Sequence, residues 1–202
     1  MSWKEAIENN FIVQHQYGTY GWLWPSTTIV SSICKITSTT KENPFNWAGS
    51  NWTNQHAEKR FLDELENEIA KHHKVTKIEA KLVQNYSPCS DCANALVEFK
   101  EKMQNKNIEF SLTIEFANVY CHKRSQNRKG LRKLSSTYGI ELKLLHDWKA
   151  FLESLERIDK LTTGDKDTLL KMARSNERQN NEKQGAEILD EILREQDADP
   201  KE

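Results

Sequence analysis

Apolar positions along the chain switch repeatedly between a spacing near 3.6 residues and strict alternation, and the switches divide the sequence into elements. Ser2-Trp3-Lys4-Glu5 has the form of a capping box, in which a hydroxyl and a carboxylate three residues apart satisfy free N–H groups at a helix start; it predicts a helix to about Phe11. An aromatic-rich loop follows, with Tyr17, Tyr20, Trp22, Trp24 and Pro25. Ile29 to Thr37 is β-branched and reads as a strand, Lys41-Glu42-Asn43-Pro44 as a turn, and Phe45 to Gly49 as a short return strand. Phe61, Leu62, Leu65 and Ile69 then recur at helical spacing after His56.

The same alternation continues through the rest of the chain. A strand is predicted over Val75 to Gln84, a helix from Pro88 to about Gln104, and a strand over Ile108 to Tyr120. Asn127 to Tyr138 reads as a helix ended by Gly139, Ile140 to Leu145 as a strand, and Trp148 to Ile158 as a helix with Trp148, Phe151, Leu152 and Leu155 on one face. Helices between strands make this an α/β chain. The connection between the last two strands spans nearly twenty residues and carries its own helix, too long for a hairpin, so those strands are expected to run parallel.

After Ile158 the pattern thins. Leu169, Leu170 and Met172, then Ile188, Leu189, Ile192 and Leu193, suggest one or two amphipathic helices separated by Asn176 to Gly185, with a frayed end at Asp199 to Glu202. The expected organisation is therefore a domain over 1–158 and a helical, acidic extension over 159–202. Twelve acidic and eight basic residues fall in that extension. It is expected mainly to pack, with a protein partner, a homo-oligomer or masking of a basic surface as further possibilities.

Composition adds bounds. With 202 residues and 37% hydrophobic positions the chain can bury one good core, while a mean hydropathy of −0.80 implies much solvated surface. No apolar run is long enough to span a membrane, and Met1-Ser2-Trp3-Lys4 does not begin a signal peptide, so no membrane partner and an intracellular location are expected. Four cysteines, at 34, 89, 92 and 121, are too few for a disulfide framework.

The candidate chemistry lies at two predicted helix starts. His56 precedes one, and Pro88-Cys89-Ser90-Asp91-Cys92 opens another, placing two cysteines on one face of a first turn. One imidazole and two thiolates give three zinc ligands, leaving a fourth tetrahedral position open, whereas structural zinc sites normally close their shell with four protein ligands. Glu58, two residues after the ligand histidine, can take a proton from zinc-bound water and deliver it to a base. His-x-Glu with Pro-Cys-x-x-Cys is the known signature of zinc nucleobase deaminases.

The chain resembles the AID/APOBEC-like family of polynucleotide cytidine deaminases. The resemblance rests on His56-Ala57-Glu58, on Asn85-Tyr86-Ser87-Pro88-Cys89-Ser90-Asp91-Cys92 in place of the family's Ser-Trp-Ser-Pro-Cys-x-x-Cys, and on Ala117-Asn118-Val119-Tyr120 leading into Arg128-Lys129-Gly130-Leu131-Arg132-Lys133-Leu134. It covers roughly residues 11 to 158. It implies a cytidine-deaminase-like three-layer fold with a mixed five-stranded sheet flanked by helices, and conversion of cytosine to uracil in single-stranded DNA or RNA, in immune or antiviral mutagenesis. By matched position His56, Cys89 and Cys92 would hold zinc, with hydroxide attacking C4 and Glu58 shuttling protons. Ser87 would lie beside the base, Tyr120 would stack on it, Tyr86 would form an aromatic wall, and Asn51 matches a sugar-contacting position. Residues Cys121 to Asn127, among them His122, Lys123 and Arg124, would read a neighbouring base.

Charge distribution agrees with a polyanionic partner. Val119 to Lys143 carries seven basic residues, including Lys123, Arg124 and Arg128, against Glu141 alone, although the whole chain has net charge −1. Cations that track phosphates beside aromatics that stack bases are what a single-strand groove needs. Trp47 and Trp52, on either side of the loop before His56, could contact a strand or finish a core. Two other readings stay open: an adenosine deaminase of transfer RNA, for which Ala95 is the matching residue, and a nucleic-acid-binding protein that keeps the zinc fold without turnover.

Overall fold

A computed structural model describes residues 2–12, 27–39 and 41–195. The predicted aromatic loop from Tyr17 to Pro25 and the end at Asp199 to Glu202 lie outside them. The first helix, α1 (Trp3–Ile7), starts on the expected capping box and continues as a π-helical turn over Glu8–Ile12. The order then runs β1 (Ile29–Ser38), β2 (Glu42–Ser50), α2 (Ala57–Ile69), β3 (Val75–Tyr86), α3 (Ser90–Asn105), β4 (Glu109–Asn118), α4 (Ser125–Ser136), β5 (Ile140–Leu144), α5 (Trp148–Arg157), α6 (Thr163–Ala173) and α7 (Asn176–Arg194).

The five strands form one mixed sheet in the order β2-β1-β3-β4-β5. β1 pairs antiparallel with β2 and with β3, whereas β3–β4 and β4–β5 are parallel, as the crossover length requires. Alternating residues of β3 and β4, Ile78, Ala80, Leu82, Phe110, Leu112, Ile114 and Phe116, enter one buried cluster with Phe61 and Leu65 of α2, Leu96 of α3 and Leu134 of α4. A second cluster joins Val83 and Ala117 to Ile7, Phe11, Trp148, Phe151, Leu152 and Leu169. Helices thus flank both faces of the sheet.

The C-terminal helices share these clusters. Leu169 and Ala173 of α6 enter the second, and Leu189 and Ile192 of α7 enter the first. The segment from Asn176 to Gly185, expected to separate two helices, is instead the first half of α7. Its buried residues are Arg178, Asn181, Gly185, Leu189 and Ile192, a stripe at helical spacing. The first two members of that stripe, Arg178 and Asn181, are polar, so apolar periodicity alone begins the helix too late.

Gly130 permits one close approach that matters for the site. A Cβ there would lie 3.1 Å from both the Ser90 Cα and the Ala93 Cβ, so the glycine lets α4 press against the first turn of α3.

Candidate active site

The three candidate ligands converge at two helix starts. His56 and Cys89 are the N-cap residues of α2 and α3, both with extended backbone, and Cys92 lies in the first turn of α3. Pro88 therefore sits one residue before the cap rather than at the first helical position, so the side chain of Cys89 leaves the chain before it coils. His56 Nδ1 lies 3.2 Å from Cys92 Sγ and 3.5 Å from Cys89 Sγ, and the three ligand atoms fall within 4.8 Å of one another.

An N-cap position is usually filled by a Ser, Thr, Asp or Asn that accepts a bond from the first turn. His56 and Cys89 make no such capping bond, and asparagines from elsewhere supply it. Asn51 Oδ1 accepts from Ala57 N at 2.9 Å, and Asn127 Oδ1 accepts from Ser90 N at 3.1 Å. Asn51 is thus engaged at the start of α2. Asn127, expected in a base-reading loop, is a buried residue of α4; its Nδ2 also donates to Tyr120 O at 3.4 Å.

The ligand set fits zinc. Around one tetrahedral zinc with ordinary Zn–N and Zn–S bonds, N···S separations are roughly 3.5 Å; the His56–Cys89 distance matches that value and the His56–Cys92 distance, 3.2 Å, is shorter. Hydrogen bonding from Cys92 outweighs burial and brings the Cys89 thiol down to about 5, the thiolate a metal would bind. The same hydrogen bond, with burial and the Glu58 charge, raises Cys92. Glu58 is buried, and burial raises its carboxyl to about 7. Its Oε2 has no hydrogen-bond partner among the described residues. A buried acceptor left open beside three metal donors suits a proton carrier more than a structural charge.

The residues expected to line the base pocket lie where the parallel strands β3 and β4 end. Tyr86 and Asn118 are register partners, Ser87 N donates to Asn118 O at 2.8 Å, and Tyr120 N donates to Ser87 Oγ at 2.9 Å. Tyr86 is buried, its ring centroid 5.7 Å from that of half-buried Tyr120. Lys123 and Arg124 are exposed on the following turn, and His122 is half-buried, with its pKa lowered by burial and then by Lys123 and Arg128.

Arg128 is placed differently from a phosphate ligand waiting in a groove. Its Nη1 donates to His122 O at 3.1 Å, its Nε to Glu195 at 3.0 Å and its Nη2 to Glu191 at 2.7 Å and to Glu195. Arg132 donates to Glu195 at 2.7 Å. The acidic end of α7 therefore lies against the basic face of α4. The two tryptophans also separate. Trp47 packs against the core near Phe61, Trp52 is 65% exposed, and the Arg60 guanidinium lies 5.7 and 5.4 Å from their rings. Ala95, the residue matched to the adenosine reading, is half-buried and packs against the first cluster.

Sequence reasoning missed Asn118 as a framing residue and missed Arg178 altogether. Asn118 was visible within Ala117-Asn118-Val119-Tyr120, but its partners are not local. Arg178 could have been found only by admitting a polar residue into the stripe of α7.

Comparison with known proteins agrees with this geometry. Residues 12–194 match the family described as invertebrate AID/APOBEC deaminase. The protein named C->U-editing enzyme APOBEC-1 of Rattus norvegicus is 28% identical over 121 residues, covering 53% of this chain and 50% of that protein. Its counterpart of the same name in Mus musculus has the same identity and coverage, and the one in Mesocricetus auratus is 27% identical over 118 residues, with 55% and 48% covered. The chain spans about half the length of these curated relatives. Among the described residues, no helix is long and apolar enough to cross a membrane.

Proposed function

The chain belongs to the invertebrate AID/APOBEC deaminase family, and on that premise we propose that it is a zinc-dependent hydrolase converting cytosine to uracil in a single-stranded polynucleotide. The observation that carries this reading is Glu58, buried with an open carboxylate oxygen beside convergent His56, Cys89 and Cys92. Held by these three residues, zinc would supply a water acidic enough to act as nucleophile near neutral pH. Glu58 would take one proton from the attacking water and hand it to the ring nitrogen, then take the second from the new hydroxyl on C4 and hand it to the departing amine. The C4–O bond forms first and the C4–N bond then breaks, so cytosine and water become uracil and ammonia. A carboxyl brought near 7 by burial can both accept and release a proton there.

Tyr120 would stack on the target base, with Tyr86 behind it and Ser87 holding the Tyr120 backbone. Exposed Lys123 and Arg124 supply positive charge to the phosphates beside it. Arg128 would act on the strand through His122 O and α7 rather than by direct contact. Single-stranded DNA ranks first as substrate and RNA second, and an immune or antiviral target and an intracellular location complete the reading.

The test is to incubate the wild type and Glu58→Ala with mixed-context single-stranded DNA and RNA and sequence the products. Cytosine-to-uracil changes from the wild type alone support the proposal and identify the polymer. Adenine-to-inosine changes in transfer RNA would replace it with the adenosine reading, and tight strand binding without product would replace it with a binding function.

A further inference from the structure

Among the described residues Arg178 has the largest fully buried side chain, and it lies within the segment expected to separate two helices. A guanidinium cannot lose its charge, so burying it requires partners in several directions. Nη2 donates to Ala117 O at 2.5 Å, Nη1 to Phe11 O at 3.1 Å and to Asn118 Oδ1 at 3.3 Å, and Nε to Glu182 at 3.2 Å. Its Cζ lies 5.4 Å from the Trp148 ring, and Trp148 Nε1 donates to the same Glu182 at 2.7 Å. Asn181, one turn on, donates to Asn118 Oδ1 at 2.8 Å.

These bonds end on the frame of the active site. With two donors on its Oδ1, the Asn118 amide is held so that Nδ2 donates to Asn85 O at 3.1 Å, while its main-chain oxygen accepts from Ser87 N at 2.8 Å. Ser87 in turn holds Tyr120 N and leads through Pro88 into the ligand Cys89. Two hydrogen bonds therefore separate Arg178 from Ser87, and a third reaches Tyr120. Core stability alone would be served equally well if Arg178 and its polar partners were all replaced by well-packed apolar residues. An arginine whose donors meet the end of β4, at Ala117 O and Asn118 Oδ1, and the main chain at Phe11 does something an apolar residue cannot, which is to fix the orientation of the groups that strand end presents.

We propose that Arg178, with Asn181, is a positioning residue of the deaminase site: through Asn118 it sets the geometry of the Ser87–Tyr120 wall, making α7 part of the catalytic apparatus. The catalytic consequence rests on the deaminase reading; the geometric one does not.

The experiment compares Arg178→Lys with Leu189→Ala, a core truncation on the same helix with no bond to this network. Hydrogen exchange is read by mass spectrometry for 85–92 and 117–124 against the rest of the chain, beside zinc content and separate kcat and KM values. Arg178→Lys should keep zinc, raise exchange in those two segments about tenfold beyond any global change, and lower kcat about tenfold at little-changed KM, within the range typical of residues that orient a metal site from outside. Leu189→Ala should raise exchange in proportion to lost stability everywhere. Uniform exchange in Arg178→Lys, matching Leu189→Ala, would overturn the proposal. If Arg178→Lys does not fold, Asn181→Ala, which removes the second donor to Asn118, takes its place: exchange raised locally in the two segments supports the positioning role, and uniform exchange overturns it. A wild type without cytosine turnover would defeat the deaminase reading and leave exchange to decide the role of Arg178.

Discussion

The starts of α2 and α3 and the first half of α7 each gather polar groups, but by opposite means. His56, Cys89 and Cys92 are brought together by local geometry, two cap positions and one helical turn, and the remaining partners of those helix starts are two asparagines. Arg178 and Asn181 are placed by the packing of a whole helix against strands and a turn far away in sequence. The first arrangement concentrates reactive groups with an open oxygen on Glu58; the second surrounds its one buried charge with acceptors. Reactivity follows where a polar group is left unsatisfied, and rigidity where every direction is filled.

The largest effects should separate the two regions cleanly. Glu58→Ala is expected to lower turnover by at least ~10²–10⁴-fold while zinc content and melting temperature stay close to wild type, and wild-type rates in that variant would remove Glu58 from its role. Cys92→Ala should lose zinc as well as activity, since two ligands make a poor tetrahedral site; metal analysis after dialysis checks it. Arg178→Met should behave in the reverse sense, destabilising the fold by about 3–5 kcal/mol as partners of a buried ion are left unpaired, measured by denaturant unfolding. A smaller loss would mean that the site relaxes or admits water.

Intermediate and small effects sharpen the contrast. Gly130→Val should cost ~1–3 kcal/mol through overpacking between α4 and the first turn of α3, with part of the loss appearing as weaker zinc retention. The ion pairs of Arg128 with Glu191 and Glu195 are more exposed and should matter least for stability. The Arg128 hydrogen bond lowers the Glu195 pKa below the usual carboxylate range. Its stabilisation is therefore complete above that range and is lost as pH falls through the lowered folded value. Hydrogen exchange near the end of α7 should rise in acid and in high salt, while exchange around Arg178 should not. If both ends of α7 loosen together, the helix is held as one unit and the distinction fails.

Much of the fold was legible because its signals are local. The capping box at Ser2, the alternation in β3 and β4 and the length of the β4–β5 connection each report on one element or one crossover. Arg128 shows the limit: its place in a basic run suggested phosphate contact, and only the folded position of α7 places Glu191 and Glu195 on it. Asn51 and Asn127 show the same limit, since a cap supplied from another element leaves no spacing to read.

What the sequence determined by itself is the gathering of His56, Cys89, Cys92 and Glu58 at two helix starts. Ligands drawn from helix starts have positions fixed by a few backbone angles, so their spacing survives as a readable pattern. What only the tertiary structure decided is how those residues are framed. Asn118, Arg178 and Phe11 are distant along the chain, and the bonds among them exist only after the sheet has formed and α7 has packed across its strand ends. A buried polar contact between distant residues has no period and no motif, because its partners are chosen by three-dimensional proximity and the need to satisfy every buried donor.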